Sequence, residues 1–112
     1  MADDGLEIVA FATAEELWGW LAEHHGSHPG AWVRLQKAGS PVPSVGFPDL
    51  LEAGLAFGWS ESTRRPFDTR SYLQRFTPRR TRGTASVRNL AIVQRLEAEG
   101  RMTEAGRRAL GL

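Results

Sequence analysis

No cysteine occurs among the 112 residues. That absence excludes disulfides, thiol nucleophiles, zinc–thiolate sites and iron–sulfur clusters together, and it is compatible with a reducing compartment. Also missing is any apolar run approaching the roughly 18–20 residues that a membrane-spanning helix needs. The opening MADDGLEIVAF is acidic and has no basic stretch ahead of its apolar residues. No signal peptide is therefore expected, and the chain reads as cytoplasmic. Lysine is nearly absent: of fourteen basic residues only Lys37 is one. No repeat, low-complexity tract or domain-dividing linker interrupts the sequence.

What is present is the composition of an ordinary globular protein, 41% hydrophobic and 24% charged, with length for one domain and one modest core. The net charge of +1 hides a segregation. Residues 1–59 carry eight acids against Arg34 and Lys37, whereas residues 60–95 carry nine arginines against Glu61 and Asp68. Such asymmetry marks either an anion-binding face or two halves that attract each other within the fold. From charge alone the second reading is favoured.

Residues 7–11 alternate weakly and suit a short strand. TAEE follows, where Thr13 can cap and Glu16 can reach back, opening a helix to about His25 with Leu17, Trp18 and Leu21 on its apolar face. AWVRLQK alternates as a half-buried strand. After a loop stiffened by Pro41 and Pro43, Phe47–Pro48 opens a second helix, with Gly54 and Gly58 marking close packing or its end. Residues 59–65 and 71–77 predict an antiparallel hairpin about Pro66, Phe67 and Asp68. Alternation would set Glu61, Thr63 and Arg65 on one face of its first strand. A helix is expected from Gly83–Thr84 to about Glu99, and a short one from the cap Thr103 to near Gly111. The expected fold is α+β: a single domain over residues 1–112, with a small antiparallel sheet and about four helices.

At FGWSES, at the following RR, and at SYLQRFTPRR, ASVRN and GRMTEAG, the chain resembles the YdeI/OmpD-associated, or bacteriocin-protection, family. The resemblance spreads over most of the chain and is strongest from Phe57 to Asn89. Three positions depart from the family pattern. Ser62 stands where a glycine is usual after the acid kept as Glu61, Ala85 replaces a tryptophan before Ser86, and Gly46 replaces a threonine or serine. The resemblance implies a fold and an association with resistance to envelope-directed agents. It implies no agreed catalytic activity.

Three constellations carry candidate chemistry. Arg79, Arg80 and Arg82 precede the third helix, whose free N–H groups and dipole favour an anion, with Thr84 and Ser86 as hydroxyl donors. Planar guanidinium forks suit phosphate, sulfate or carboxylate. The plainer alternative is a solvated basic loop, or arginines that answer the acidic half. Second, Asn89 falls with Ser86 on the apolar arc of that helix, either as a hydrogen-bonded core asparagine, the favoured reading, or at the rim of a pocket. Third, the hairpin offers Trp59, Glu61, Arg65, Tyr72 and Arg75 as pocket residues. Aromatics beside arginines can stack nucleobases, but the small net charge makes nucleic acid the weaker reading. Trp59 and Tyr72 are more ordinary as packing residues.

Glu61 could act as a general base, or simply pair with Arg65 or Arg75. No nucleophile–base arrangement accompanies it, so an enzyme is the less favoured class. His24, His25 and His28 lack an acid or thiol spaced to complete a metal site and instead suit the helix end. No cofactor and no metal is expected. The expected function is a non-catalytic module that binds an anionic small molecule or partner group. The alternatives are a small enzyme on an acidic substrate and an interaction protein whose arginines are structural.

Overall fold

The two segments with the clearest alternation, AWVRLQ and SYLQRFTP, become the inner strands of a four-stranded sheet. The computed structural model describes residues 4–80 and 86–112. The elements run β1 (Glu7–Val9), α1 (Ala14–His24), β2 (Ala31–Gln36), α2 (Phe47–Phe57), β3 (Trp59–Pro66), β4 (Ser71–Pro78), α3 (Val87–Ala98) and α4 (Glu104–Ala109). The strand order is β1-β2-β4-β3. β4 pairs antiparallel with β2, Ala31 opposite Phe76, and with β3, Trp59 opposite Pro78. β1 runs parallel to β2, Glu7 opposite Ala31, so the sheet is mixed where an antiparallel one was expected. A parallel pair needs a crossover, and α1 supplies it.

Capping fixes the helix ends. The Thr13 hydroxyl accepts the Glu16 N–H at 3.2 Å, and the Glu16 carboxylate takes the Ala12 N–H at 2.8 Å. Gly58, at φ 82°, ends α2 in the left-handed region open to glycine. The Thr103 hydroxyl accepts the Gly106 N–H at 3.1 Å. α3 begins at Val87 with Ser86 as its cap, later than the expected start at Gly83–Thr84. Ser86 wins because its hydroxyl accepts the Asn89 N–H at 3.1 Å.

The helices cover one face of the sheet. Leu17, Leu21, Val33, Leu35, Leu50, Leu55, Trp59, Phe76, Val93 and Leu96 make the core between them. Gly54 lets α2 settle on the sheet: an added Cβ would lie 2.8 Å from the Trp59 carbonyl oxygen. The opposite face has no helical layer among the described residues, yet Trp32 is only 3% exposed and Leu73 5%. Arginines close it. The Arg65 guanidinium lies 4.8 Å from the Trp32 ring centre and that of Arg34 4.5 Å from Phe67. Arg34 also binds Asp68 at 2.8 Å, and Arg75 binds Asp4 at 3.1 Å. Long arginine stems over apolar surface replace a second layer.

Strand β3 is irregular between Glu61 and Arg64: Glu61 faces Phe76, and Arg64, three residues on, faces Gln74. One extra residue is inserted, a β-bulge. The buried Gln74 holds it, donating to the Thr63 carbonyl at 3.2 Å and accepting from Arg64 Nε at 3.4 Å. The expected grouping of Glu61, Thr63 and Arg65 on one face is therefore corrected. Glu61 and Arg64 share the helix-covered face, and Arg65 turns to the other.

Candidate functional site

Glu61, in regular register opposite Phe76 just ahead of the bulge, lies beside the start of α2, and the first turn of α3, after its Ser86 cap, comes to the same place. Together they border a cleft of about 310 Å³ lined by Phe47, Pro48, Leu51, Glu61, Ser86, Arg88 and Asn89. Three of these, Glu61, Ser86 and Asn89, are residues that the sequence singles out. Phe47, Pro48 and Leu51 give an apolar wall from the first turns of α2. That end is set by Gly46, whose N–H donates to Asp49 Oδ2 at 2.8 Å. The proline sits in the first turn, where a missing N–H costs nothing.

The polar side of the cleft is under-used. Burial pushes the Glu61 carboxyl above the ordinary glutamate value, with its own backbone amide and the Arg79 guanidinium pulling the other way. No ion pair joins Glu61 or Arg88 to a described residue. The Ser86 hydroxyl is engaged as acceptor of the Asn89 N–H, while the half-buried Asn89 carboxamide makes no hydrogen bond with the described residues. A carboxyl, a guanidinium and a carboxamide thus line one small cavity without answering one another.

The other candidates are distributed elsewhere. Arg79 follows β4, its N–H donating to the Gly58 carbonyl at 2.9 Å, and its charge is felt by Glu61. Arg80 is exposed. Arg82 and Thr84, like Ala85, lie outside the described residues. Arg65 and Arg75 sit on the outer face of the sheet with Trp32 and Asp4. Trp59 is in the core, stacked edge-on with Trp20 at 5.6 Å and donating to the His25 carbonyl at 3.3 Å. Tyr72 borders a separate cleft with Lys37, Arg64 and Pro66. Arg64 divides the two clefts, its guanidinium 4.4 Å from the Tyr72 ring centre and 5.7 Å from that of Phe47. Glu61 and Tyr72 therefore line different clefts of the described residues.

The histidines serve the end of α1. His25 Nδ1 donates to the Leu21 carbonyl at 2.8 Å, and His28 Nε2 donates to Glu7 at 2.8 Å while its Nδ1 accepts the Gly30 N–H. No group of three or more histidine, aspartate or glutamate side chains suited to a metal occurs among the described residues. No described helix is long and apolar enough to cross a membrane.

Sequence reasoning missed Phe47, Pro48, Leu51 and Arg88. The available signal was the pair Phe47–Pro48, legible as a helix start but silent about which way its ring faces.

The model of a family described as a domain of unknown function, DUF8412, matches residues 9–109. The chain belongs to that family. The DUF8412 match runs from the end of β1 to the end of α4 and so contains the whole cleft. No curated protein and no solved structure matches the chain.

Proposed function

We propose that the chain is a non-catalytic binding module, and that the cleft between Glu61 and the first turn of α3 holds the anionic group of a small molecule or partner. The observation that carries this reading is the pair Arg88 and Asn89, polar groups on one helical turn that line the cleft without an ion pair or side-chain hydrogen bond to the described residues. Arg88 is exposed and Asn89 half-buried, and convergent polar groups that the described residues leave unpaired beside an apolar wall suit a ligand that supplies their partners. A guanidinium beside a carboxamide and the positive end of α3 favours a carboxylate, phosphate or sulfate.

The enzyme reading that joins Glu61 with Tyr72 is less favoured, because the two line different clefts. Nucleic acid is less favoured, because Trp32, the large aromatic of the outer sheet face, is roofed by Arg65. The resemblance to the YdeI/OmpD-associated family extends the proposal to a cytoplasmic role in envelope stress or bacteriocin protection.

Titration of the protein with phosphate, sulfate and acetate, followed by backbone amide shifts, tests the binding reading. Shifts are expected at residues 86–89, at Phe47 and at Glu61, and Arg88→Ala should weaken them. No movement at millimolar concentration of any of the three would overturn it.

A further inference from the structure

We infer that the ligand of this cleft is bipolar, a small zwitterion of the α-amino-acid type, with its ammonium group on Glu61, its carboxylate on Arg88 and Asn89, and its apolar part on Phe47 and Leu51. The inference rests on the binding reading above and deepens it. A purely anionic ligand would meet the carboxyl of Glu61 inside the same small cavity, and like charges at close range in a partly desolvated site are unfavourable. A purely cationic ligand would meet Arg88 in the same way. A molecule carrying both charges a few bonds apart satisfies both sides at once.

The surroundings of Glu61 argue that its carboxyl is not there for structure. Arg64 is on the same face of the sheet, one bulge away, and is the natural ion-pair partner. Its guanidinium is directed instead to the rings of Tyr72 and Phe47 and to Gln74. Elsewhere the described acids commonly find arginines: Asp4 with Arg75, Glu52 with Arg95, Asp68 with Arg34, Glu97 with Arg107. Glu61 is half-buried and raised in pKa by that burial; it makes no ion pair of this kind with a described residue, and the Arg79 guanidinium acts on it through its charge. An ammonium group bound there removes the desolvation cost by pairing, which an inorganic anion does not.

Size and wall chemistry narrow the class. A cavity of about 310 Å³ lies at the small end of ligand sites. Its apolar wall, on one side only, suits a short aliphatic or similar side chain beside the charged groups.

The test compares matched probes on the wild-type chain by calorimetry and amide shifts: leucine against 4-methylpentanoate, which lacks only the ammonium group, and alanine against propionate. At least one zwitterion is expected to bind about tenfold or more tighter than its anion, the scale of one charge-assisted hydrogen bond. Glu61→Gln should abolish that difference. If an anion binds at residues 86–89 as tightly as its zwitterion, the bipolar inference is overturned and the binding module stands. If the preference for the zwitterion survives Glu61→Gln, the assignment of its ammonium to Glu61 is overturned. If neither member of either pair binds, and phosphate, sulfate and acetate also fail, both readings fall. The wild-type comparison needs no variant to fold.

Discussion

Replacing glycine by alanine should have opposite effects at two helical positions of this chain. At Gly106 in α4 an added Cβ would lie 2.2 Å from the Ala56 carbonyl oxygen and 2.6 Å from that of Leu55. Carbon–oxygen contacts ordinarily close to about 3.3 Å, so α4 and the end of α2 must separate by roughly 1 Å. Those carbonyls cannot swing aside freely, because the Ala56 oxygen accepts both the N–H and the hydroxyl of Thr103. Overpacking costs about 1–3 kcal/mol, and each hydrogen bond weakened adds up to about 1 kcal/mol. The gain of alanine over glycine in a helix returns about 0.5–1 kcal/mol. The net loss is about 2–4 kcal/mol, a fall in Tm of roughly 10–20 °C for a domain of this size. Gly19 lies in the middle of α1, and a Cβ there meets nothing within 4 Å. There the helical gain is uncompensated, and a rise of a few degrees is expected. Thermal melts followed by far-UV circular dichroism on both variants decide the matter. A Gly106→Ala protein melting at or above the wild type would refute the close α2–α4 contact and the placement of α2, whose other end walls the cleft.

Three further expectations concern charge. The Glu61 carboxyl is raised by burial. Its favourable contribution is therefore full below the ordinary glutamate range and is lost as pH rises through the raised value. Glu61→Gln should flatten that decline in denaturant midpoints measured from about pH 4 to 8, and parallel curves for the two proteins would contradict it. Asp68 is shifted the other way, held below the usual carboxylate range by the Ser71 hydroxyl and the Arg70 amide, with Arg34 adding to both. Its contribution is present above that range and lost as pH falls through the depressed value, so Asp68→Asn should show a shallower acid limb and a lower midpoint at neutral pH. Finally, Arg65→Lys keeps the charge but removes the plane over Trp32. Tryptophan emission should shift to the red in both Arg65→Lys and Arg65→Ala, and an unshifted Arg65→Lys spectrum beside a shifted Arg65→Ala one would show that charge, not stacking, covers the indole.

How far the fold can be read from the sequence depends on whether a signal is local. Thr13, Thr103 and Gly58 announce helix ends because a cap is made with residues three or four away. The alternation of Trp32 to Gln36 and Tyr72 to Phe76 is likewise complete within each strand. The bulge in β3 is not. Nothing in SEST marks an inserted residue, because what stabilises it is Gln74 on the neighbouring strand. That one non-local event reversed the expected facing of Arg65 and took it out of the candidate pocket. Glu61 went with Asn89 and Ser86, while Arg65 went to Trp32 and Tyr72 to Lys37. The parallel pairing of β1 was equally hidden, since three residues carry no directional information.

The near absence of lysine follows from the way the fold uses its cations. Arg34, Arg64, Arg65 and Arg101 each lie over an aromatic ring, Phe67, Tyr72, Trp32 and Trp18 in turn, at 4.2–4.8 Å. A flat, weakly hydrated guanidinium can lie against a ring and still offer its edge to a carboxylate or to water, whereas a compact ammonium holds its hydration shell. With only four strands and helices on one face, the sheet needs its other face closed by side chains that are at once apolar along the stem and soluble at the tip. Arginine meets both demands. Within the basic stretch Arg65 and Arg75 belong to this outer covering, and the charge of the stretch does not by itself indicate an anionic partner. The proposed ligand rests on something narrower: Arg88, on the first turn of α3, lies over no described ring and meets no described carboxylate, and it lines a cavity shared with Glu61, which makes no ion pair with a described residue.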